Sequence, residues 1–400
     1  MWKGDKIMKQ NKKLLALLLV LVIAFSSLAL VACNKGGNKG GGGQGGADVS
    51  QEVKNPGDII KNADGTVTFM DMNNVVHKNM KTGKQRIINM WPANTSTFFG
   101  IGAGDKLLAT SIQQAPWVKV FYPRIDERGE DFVLKGGTGA TAENLLSRNP
   151  DLVIVHPANG KDLQKQLLEV GVDSIFINFS DFESMKKCYK IVGALLGGEY
   201  ETKLNLWCTK VDETKAKIKA KTDLLTDAQR PVVLYCTGIG QKKDSTVTEF
   251  STMAANSIFQ DWCEIAGGKY YMAEHPDITG MAITQEYVLD KWPDIILCAG
   301  ANQNKTYNTL TTDPVYADKI ANTKLAKNPY VLFDIARFGF EALLQMSQAV
   351  SVIQPAIAAE LGIDMKKEIK SFYSTFAGVT LSDEQVQLII DGKKPDGTPI

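Results

Sequence analysis

Aromatic, basic and amide side chains in this sequence follow short β-branched segments that are typical of buried strands. An indole ring can stack on a planar ligand, a guanidinium can bind an anion through two N–H donors, and an imidazole can contact a ligand or a metal that the ligand carries. The pattern therefore predicts a set of ligand-binding residues. They are Trp91, Asn94, Thr95, Trp117, Tyr122, Arg124 and His156 in the first half of the chain, and Tyr235, Thr237, Asn302 and Arg337 in the second.

Several of these residues also have an ordinary structural interpretation. Trp91 and Trp117 are equally typical of packing inside a lobe, and the acidic neighbours of Arg124 favour a surface ion pair. His156 is as compatible with a polar surface loop as with an axial contact to a metal in a bound ligand. The metal ligands, if there are any, stay unknown at this point.

No set of residues in the sequence indicates catalysis. The chain has no Gly-x-Ser-x-Gly, no His-Glu-x-x-His and no phosphate-binding loop. Five cysteines follow residue 33 without Cys-x-x-Cys spacing, which favours buried free thiols over a zinc or redox site. We therefore predict a protein that is not an enzyme and has no intrinsic cofactor.

Two series of strand patterns alternate with helical patterns, as in layered α/β folds. The first series covers residues 66–71, 86–90, 106–110, 151–155 and 173–177, and the second covers 231–235, 294–297 and 330–333. Ligands bind beyond the carboxyl ends of the strands in open sheets of this kind, which is where the predicted residues stand.

A long amphipathic helix separates the two series. Its apolar residues recur at steps of four and three: Tyr200, Leu204, Trp207, Val211, Thr214 and Ile218. One narrow apolar stripe over about five turns is typical of a rigid strut with solvated faces. The predicted fold is α/β, with two small lobes joined by one long rigid helix and a ligand cleft between them.

An internal repeat supports the two lobes. Residues 143–154 align without gaps to residues 286–297, and each copy reads as a short helix, a Pro-Asp pair and a buried strand. That junction is common in α/β folds, but it does not require the glutamates Glu143 and Glu286 that open the two copies. We predict that both lie on the solvent side of their helices.

The N-terminus has the order of an export signal: a positive stretch, an apolar run and then small residues ending in Leu-Val-Ala-Cys33. This ending resembles a bacterial lipobox, in which the cysteine is lipidated. An uncleaved membrane helix over residues 14–32 is the alternative. Met8 opens a more typical signal than Met1, so the start codon is open. The Gly-rich residues 34–46 predict a flexible tether.

The sequence resembles the helical-backbone, class III, substrate-binding lipoproteins of ABC importers for iron–siderophore, haem and cobalamin. The resemblance covers residues 64–390 and rests on the order of several motifs, none diagnostic alone. These motifs are residues 89–96, the Gly-rich turn 102–107, both copies of the repeat, residues 333–338 and residues 366–381.

This resemblance implies two lobes joined by a helix, and it implies a role for the glutamate pair. Glu143 and Glu286 match the residues that dock on arginine pockets of the permease, whereas ordinary solvated glutamates near helix N-termini are the alternative. The implied cargo is an iron complex or a related metal chelate, such as a siderophore, haem or a corrinoid. A ligand-sensing receptor and, less so, a metal-dependent enzyme on the same fold are the rival functions.

Charge and boundaries complete the prediction. Outside residues 1–32 the chain carries 40 basic and 43 acidic side chains, and this balance without a basic run excludes nucleic acid as a partner. The expected partners are a small metal chelate and an ABC permease dimer with its ATPase. We expect a monomer on the outer face of the cell membrane, held there by its lipid alone. The predicted segments are 1–32 (signal peptide), 33–62 (tether), 63–182 (N-terminal lobe), 183–229 (linking helices) and 230–395 (C-terminal lobe).

Overall fold

A computed structural model describes residues 52–111, 117–134, 140–158, 160–243, 245–278, 280–300, 302–327 and 339–399. The signal segment, Cys33 with the Gly-rich residues that follow it, and Arg337 lie outside the described residues. None of the helices within the described ranges is long and apolar enough to cross a membrane.

A small antiparallel sheet opens the described chain. Its strands β1 (Ile59–Lys61), β2 (Val67–Met70) and β3 (Val76–Met80) pair in sequence order. Asp71, just after β2, is buried and joins this sheet to the next. Its carboxylate accepts hydrogen bonds from His77 Nε2 (3.0 Å), the Phe176 N–H (3.0 Å) and the Gln164 side chain. His77 is therefore a buried strand residue.

The N-terminal lobe is built on a parallel sheet of four strands in the order β5-β4-β6-β7. The strands are β4 (Ile87–Asn89), β5 (Leu107–Thr110), β6 (Leu152–Val155) and β7 (Ser174–Phe176). The helices of this part are α1 (Pro92–Gly100), α2 (Val118–Phe121), α3 (Ala142–Leu146), α4 (Gly160–Glu169) and α5 (Phe182–Leu196). Short 3₁₀ turns occupy Gly104–Lys106, Pro123–Arg128 and Glu130–Phe132.

The C-terminal lobe repeats this arrangement with the order β11-β8-β13-β14, again all parallel. Its strands are β8 (Val232–Cys236), β11 (Lys269–Tyr270), β13 (Ile295–Cys298) and β14 (Lys324–Lys327). A separate antiparallel sheet has the order β12-β10-β9 and consists of β9 (Gly238–Gln241), β10 (Thr248–Ser251) and β12 (Ala282–Thr284). In both lobes the first strand of the parallel sheet lies between the second and the third.

The remaining helices follow the strut in sequence. They are α7 (Ile258–Ile265), α8 (Tyr271–Glu274), α9 (Gln285–Asp290), α10 (Gln303–Thr312), α11 (Ala317–Ile320), α12 (Ala342–Ile353), α13 (Pro355–Glu360), α14 (Met365–Phe376) and α15 (Asp383–Ile390). Turns of 3₁₀ type occupy Asp227–Gln229 and Pro314–Tyr316.

One helix, α6 (Gly198–Thr222), runs between the lobes for 25 residues. Leu204, Trp207, Val211 and Ile218 of the predicted stripe are buried. The helix has acidic residues in its first turn and lysines in its last, which suits the helix dipole. The predicted fold, two α/β lobes joined by one long helix, is confirmed.

Phe340 fixes the strut to both lobes. Its carbonyl accepts a hydrogen bond from Trp207 Nε1 at 2.9 Å, and its N–H donates to Ser96 Oγ at 2.9 Å. Its ring lies so close to Gly100 that a Cβ there would be 2.3 Å from Phe340 Cδ1. The junction between the lobes is therefore a packed core.

All five described cysteines, Cys188, Cys208, Cys236, Cys263 and Cys298, are buried free thiols. Burial raises the pKa of each thiol, for example to about 12 for Cys236 and about 11 for Cys208. These thiols are held in the unreactive, protonated form.

Candidate functional site

Strand order identifies where a ligand would bind. In each parallel sheet the chain reverses its direction of winding between the first and third strands, and crevices form at the carboxyl ends of such a pair. In the N-terminal lobe this point lies between β4 and β6, next to Trp91 and His156. In the C-terminal lobe it lies between β8 and β13, next to Thr237 and Asn302. These four residues were all predicted as ligand contacts.

A buried polar network shapes the N-terminal crevice. Asn89, the last residue of β4, donates through Nδ2 to the Trp91 carbonyl (2.9 Å), Thr95 Oγ1 (2.8 Å) and Thr110 Oγ1 (3.1 Å). Its Oδ1 accepts from Asn94 Nδ2 at 3.2 Å. Asn94 and Thr95, predicted as ligand contacts, are both buried. Because buried polar groups need partners, they hold the turn that presents Trp91 and do not offer free surface to a ligand.

Trp91 lies at this edge with an aromatic neighbour that the sequence analysis missed. Its ring centroid is 4.5 Å from that of Phe179, which follows β7. Both rings are nearly buried. The strand-end rule that selected Trp91 would also have found Phe179.

His156 directly follows β6 and is half-buried. Its Nδ1 accepts a hydrogen bond from the Ala158 N–H at 3.1 Å. Burial lowers the pKa of His156 below its ordinary value of 6.5, so the ring is neutral at pH 7. With Nδ1 occupied as an acceptor, Nε2 carries the proton and is a hydrogen-bond donor. This arrangement suits contact with an acceptor atom of a ligand better than direct coordination of a metal.

Three predicted residues after β5 have partners within the protein. Trp117 is fully buried, and its Nε1 donates to the Lys393 carbonyl at 3.0 Å. The Tyr122 hydroxyl donates to Asp105 Oδ1 at 2.7 Å; burial and this bond raise the pKa of Tyr122. Arg124 contacts Glu127 Oε2 at 3.2 Å and Asp105 Oδ2 at 3.4 Å. The structure therefore places Arg124 in the surface ion pair that its acidic neighbours suggested.

The C-terminal crevice differs from the prediction in two ways. Tyr235 is buried against the Phe259 ring, with centroids 4.7 Å apart, so it belongs to the core of the lobe and not to the crevice surface. Lys327, which no sequence signal marked, ends β14 at the same edge. Its Nζ donates to Asn304 Oδ1 at 2.7 Å and lies 4.9 Å from the Tyr307 ring centre. Both of these partners are neutral, so the side chain can also contact an anionic or oxygen-rich ligand.

One segment of the chain contacts both lobes. Trp117, in the part of the chain that follows β5, donates to the Lys393 carbonyl, and Asn304, in the first turn of α10 after β13, donates through Nδ2 to the Gly392 carbonyl at 3.3 Å. Because residues 392 and 393 are adjacent, the parts of the chain that follow β5 and β13 come together there.

Glu143 and Glu286 occupy equivalent positions. Each is the second residue of a short helix and is exposed. Each helix begins at a threonine, Thr141 or Thr284, whose Oγ1 accepts the N–H three residues later at 3.3 Å. The repeat in the sequence is thus a repeat in structure, down to the helix cap.

In the described residues, no group of three or more His, Cys, Asp or Glu side chains is placed to hold a metal ion. His275 lies between Tyr271 and Tyr287, with ring centroids 4.5 and 5.6 Å away.

Comparison with known proteins decides the family. Residues 87–326, which include the strut and both parallel sheets except Lys327, match the family described as periplasmic binding protein. The chain belongs to this family. The resemblance noted from the motifs is therefore confirmed, and periplasmic binding proteins are solute-binding proteins by description.

A curated relative of this periplasmic binding protein is the uncharacterized ABC transporter substrate-binding lipoprotein YvrC of Bacillus subtilis (strain 168). The two are 26% identical over 149 residues, which is 36% of this chain and 44% of the relative. The match thus spans less than half the length of that relative.

Solved periplasmic binding proteins share the fold. The periplasmic solute binding protein of Veillonella parvula superposes with a TM-score of 0.61 at 19% identity, over 81% of this chain and 97% of that one. The molybdate periplasmic binding protein MolA of Haemophilus influenzae superposes with a TM-score of 0.63 at 14% identity, over 79% and 99%. At these identities the likeness concerns the fold alone.

Proposed function

We propose that this periplasmic binding protein captures an iron complex or a related metal chelate outside the cell and delivers it to an ABC importer. Siderophore, haem and corrinoid complexes are the candidate cargos. The observation that carries the proposal is the same strand order in two lobes joined by one long helix, because each such sheet has a ligand crevice at its carboxyl edge. Such a cleft can bury most of a bulky ligand, as small-molecule sites do.

The chemistry at the cleft supports a chelate over a bare metal ion. The described groups are an imidazole N–H at His156 and an ammonium at Lys327. These groups recognise oxygen acceptors, and a chelator offers such atoms while supplying the metal ligands itself. An oxyanion complex would use the same donors.

Delivery to a permease is supported by the equivalence of Glu143 and Glu286. Two exposed carboxylates at the same helix position, one on each lobe, suit a partner with two equivalent basic pockets. Charge pairs of this kind set register and specificity more than affinity. A permease dimer has the required symmetry.

Anchoring by lipid is proposed from Leu-Val-Ala-Cys33 and from the relative that is named a lipoprotein. Replacement Cys33→Ala should release the protein or leave it unprocessed. Mass spectrometry of the protein from membranes would show this. Retained lipid and an unchanged mature mass in the variant would contradict the proposal.

The cargo is tested directly on protein purified from its own host. We expect an absorption band in the visible range and bound metal by elemental analysis. Calorimetric titration of the stripped protein with a ferric hydroxamate, a ferric catecholate, haemin, cobalamin and molybdate should then give one tight ligand among the five. Absence of binding to all of them, with no metal in the native protein, would overturn the proposed cargo class.

A further inference from the structure

The last residues of the described chain form a compact hairpin after α15. Lys393 pairs with Pro399, and the Lys394 N–H donates to the Thr398 carbonyl at 2.7 Å. Asp396 Oδ1 accepts from the Thr398 N–H at 2.9 Å and from its hydroxyl at 2.6 Å. The hairpin is therefore an ordered element, and it belongs to neither of the two parallel sheets.

Two adjacent residues of the hairpin bind opposite lobes. The Lys393 carbonyl accepts from Trp117 in the N-terminal lobe at 3.0 Å, and the Gly392 carbonyl accepts from Asn304 in the C-terminal lobe at 3.3 Å. Trp117 follows β5 and Asn304 follows β13, and ligands bind beyond the carboxyl ends of such strands. The hairpin thus crosses the cleft at the place where a ligand is proposed to enter.

Gly392 has a φ of +65° and packs on the side chain of Gln303, such that a Cβ at Gly392 would lie 3.5 Å from Gln303 Nε2. Gln303 is fully buried, and neither of its amide atoms has a hydrogen-bond partner among the described residues. A buried unpaired amide destabilises the arrangement that buries it. Departure of the hairpin would expose this amide to water or to a ligand.

The other side of the hairpin is loosely packed. A cavity of about 330 Å³ separates it from α2 and is lined by Lys119, Val120, Lys394, Pro395 and Asp396. The contacts that hold the hairpin across the cleft are therefore few, and one of them covers an unsatisfied polar group.

We propose that residues 391–399 are a strap that ties the two lobes together across the cleft in the ligand-free protein and must swing away when ligand binds. The role of the strap in ligand entry rests on the proposed function, whereas its tie between the lobes does not. Few hydrogen bonds hold the strap across the cleft, and the buried unpaired amide of Gln303 destabilises that position. A modest ligand-binding energy is therefore enough to shift the strap from one position to the other.

The tie is tested without any ligand by measuring a distance across the cleft. Spin labels are placed on Lys161→Cys and Asn308→Cys, exposed positions on helices of opposite lobes, with Cys33→Ser. The five described native thiols are buried, so the labels go to the introduced cysteines. Truncation after Ile390 should lengthen and broaden the distance distribution. Identical distributions with and without the strap would overturn the proposal.

Two milder variants guard against a truncation that fails to fold. Trp117→Phe keeps an aromatic ring and removes the N–H that holds Lys393, and Gly392→Ala strains the backbone of the strap, at a φ of +65°, where it contacts Gln303. Both should broaden the same distribution. Gly397→Ala is the matched control, because its φ of +81° imposes similar backbone strain in open space. Broadening by Gly397→Ala equal to that by Gly392→Ala would contradict the contact with Gln303.

Ligand entry is tested with haemin and the ferric hydroxamate as probes. The variants that release the strap should bind the probe with an association rate about 3- to 10-fold higher than that of the unchanged protein. A modest change of this size is typical of a pre-equilibrium between two conformations. An unchanged rate with a changed distance would refute gating while leaving the tie intact. If none of the five titration ligands binds while the distance still changes, the proposed cargo fails and the strap stands.

Discussion

Asp151 and Asp294 make the same pair of hydrogen bonds in opposite lobes. The Asp151 N–H donates to the Arg86 carbonyl at 3.0 Å while its Oδ1 accepts the Arg86 N–H at 2.9 Å. The Asp294 N–H donates to the Val232 carbonyl at 3.0 Å while its Oδ2 accepts the Val232 N–H at 2.8 Å. Each aspartate thus fixes the start of the neighbouring first strand, which explains why Pro-Asp occurs in both copies of the repeat.

Loss of these carboxylates should destabilise the lobes unequally. Asp151 also accepts the Gln85 N–H at 2.8 Å, so it holds two backbone donors and Asp294 holds one. We expect Asp151→Ala to lower the free energy of unfolding by about 1–2 kcal/mol and Asp294→Ala by about 0.5–1 kcal/mol, given their partial exposure. Urea denaturation measures both. Asp290→Ala, a surface control, should cost less than about 0.5 kcal/mol, and a larger loss at Asp294 than at Asp151 would contradict the account.

Transport should depend on Glu143 and Glu286. Replacing either by alanine should leave ligand affinity unchanged and reduce stimulation of the importer's ATPase in proteoliposomes several-fold, and the double variant should reduce it further. Reversal to arginine should be worse, because like charges then repel. High salt should reduce stimulation of the ATPase as the alanine variants do. The reason is that exposed charges are screened over distances of about 8–10 Å at ordinary ionic strength.

Glu384 provides a matched control for that experiment. It is exposed at the second position of α15, behind the cap Ser382, but it lies outside the repeat. Glu384→Ala should stimulate the ATPase like the unchanged protein. Normal transport by the double variant Glu143→Ala, Glu286→Ala would refute docking through this pair.

Asp71 should make stability depend on acid pH. Burial alone would raise its pKa, but hydrogen bonds from His77, the Phe176 N–H and Gln164 outweigh burial and lower it. Since the folded pKa lies below the unfolded value of about 3.9, this stabilisation is present above pH 4 and is lost as the pH falls through the folded pKa. Asp71→Asn should cost about 2–3 kcal/mol at pH 7.

The difference between Asp71→Asn and the unchanged protein should shrink below pH 4, as urea titrations at pH 7 and pH 3 would show. Asp162→Asn, an exposed change on α4, is the control and should leave both titrations nearly unmoved. A cost for Asp71→Asn that grows toward low pH would reverse the assigned sign.

His156 should act as a neutral donor. Because burial lowers the pKa of His156, its ring stays neutral from pH 7 to pH 8, and affinity for the ligand that titration identifies should be constant over this range. The affinity should change only at a pH low enough to protonate the ring. His156→Ala should weaken binding by about 5- to 50-fold, equivalent to about 1–2.3 kcal/mol, and His156→Gln should recover part of it through its amide N–H. A change in the metal-centred absorption of the bound chelate in His156→Gln would instead indicate coordination.

Gly100 should not tolerate a side chain. A Cβ there would meet Phe340 Cδ1 at 2.3 Å, inside a packed core. Gly100→Ala should lower the free energy of unfolding by about 1–3 kcal/mol despite the better helix propensity of alanine. Gly240→Ala, in open space on β9, is the control for calorimetry. A higher free energy of unfolding for Gly100→Ala would show that the core around Phe340 can rearrange to accept the added methyl group.

Six of the eight described parallel strands and the strut were predictable because each carries its own pattern; β11 and β14 were missed, and the predicted strand over residues 330–333 lies outside the described residues. The continuous apolar runs of β6 and β13 are typical of strands buried on both faces, and the stripe of α6 is typical of a helix buried on one. The antiparallel strands β9, β10 and β12 were missed, because they are short, partly polar and exposed on one face. The domain boundaries stay predictions.

The position of the candidate site stays a prediction, and its details could not be predicted from sequence. The strand-end rule selected Trp91 and His156, yet it could not distinguish them from Thr95, whose partners Asn89 and Thr110 come together only in the folded sheet. Lys327 lies in a segment with a largely polar sequence, so the strand that ends at this residue could not be predicted. Tyr235 looked accessible only because its core neighbours are distant in sequence.

The position of Phe340 has a consequence for how the chain folds. A residue from the C-terminal half completes the core between α1 and α6, so neither half holds all of its own interior. Two lobes with the same topology are thereby coupled into one cooperative unit. Heating should give a single transition, and a fragment that ends at the strut should fail to fold although its sheet is complete.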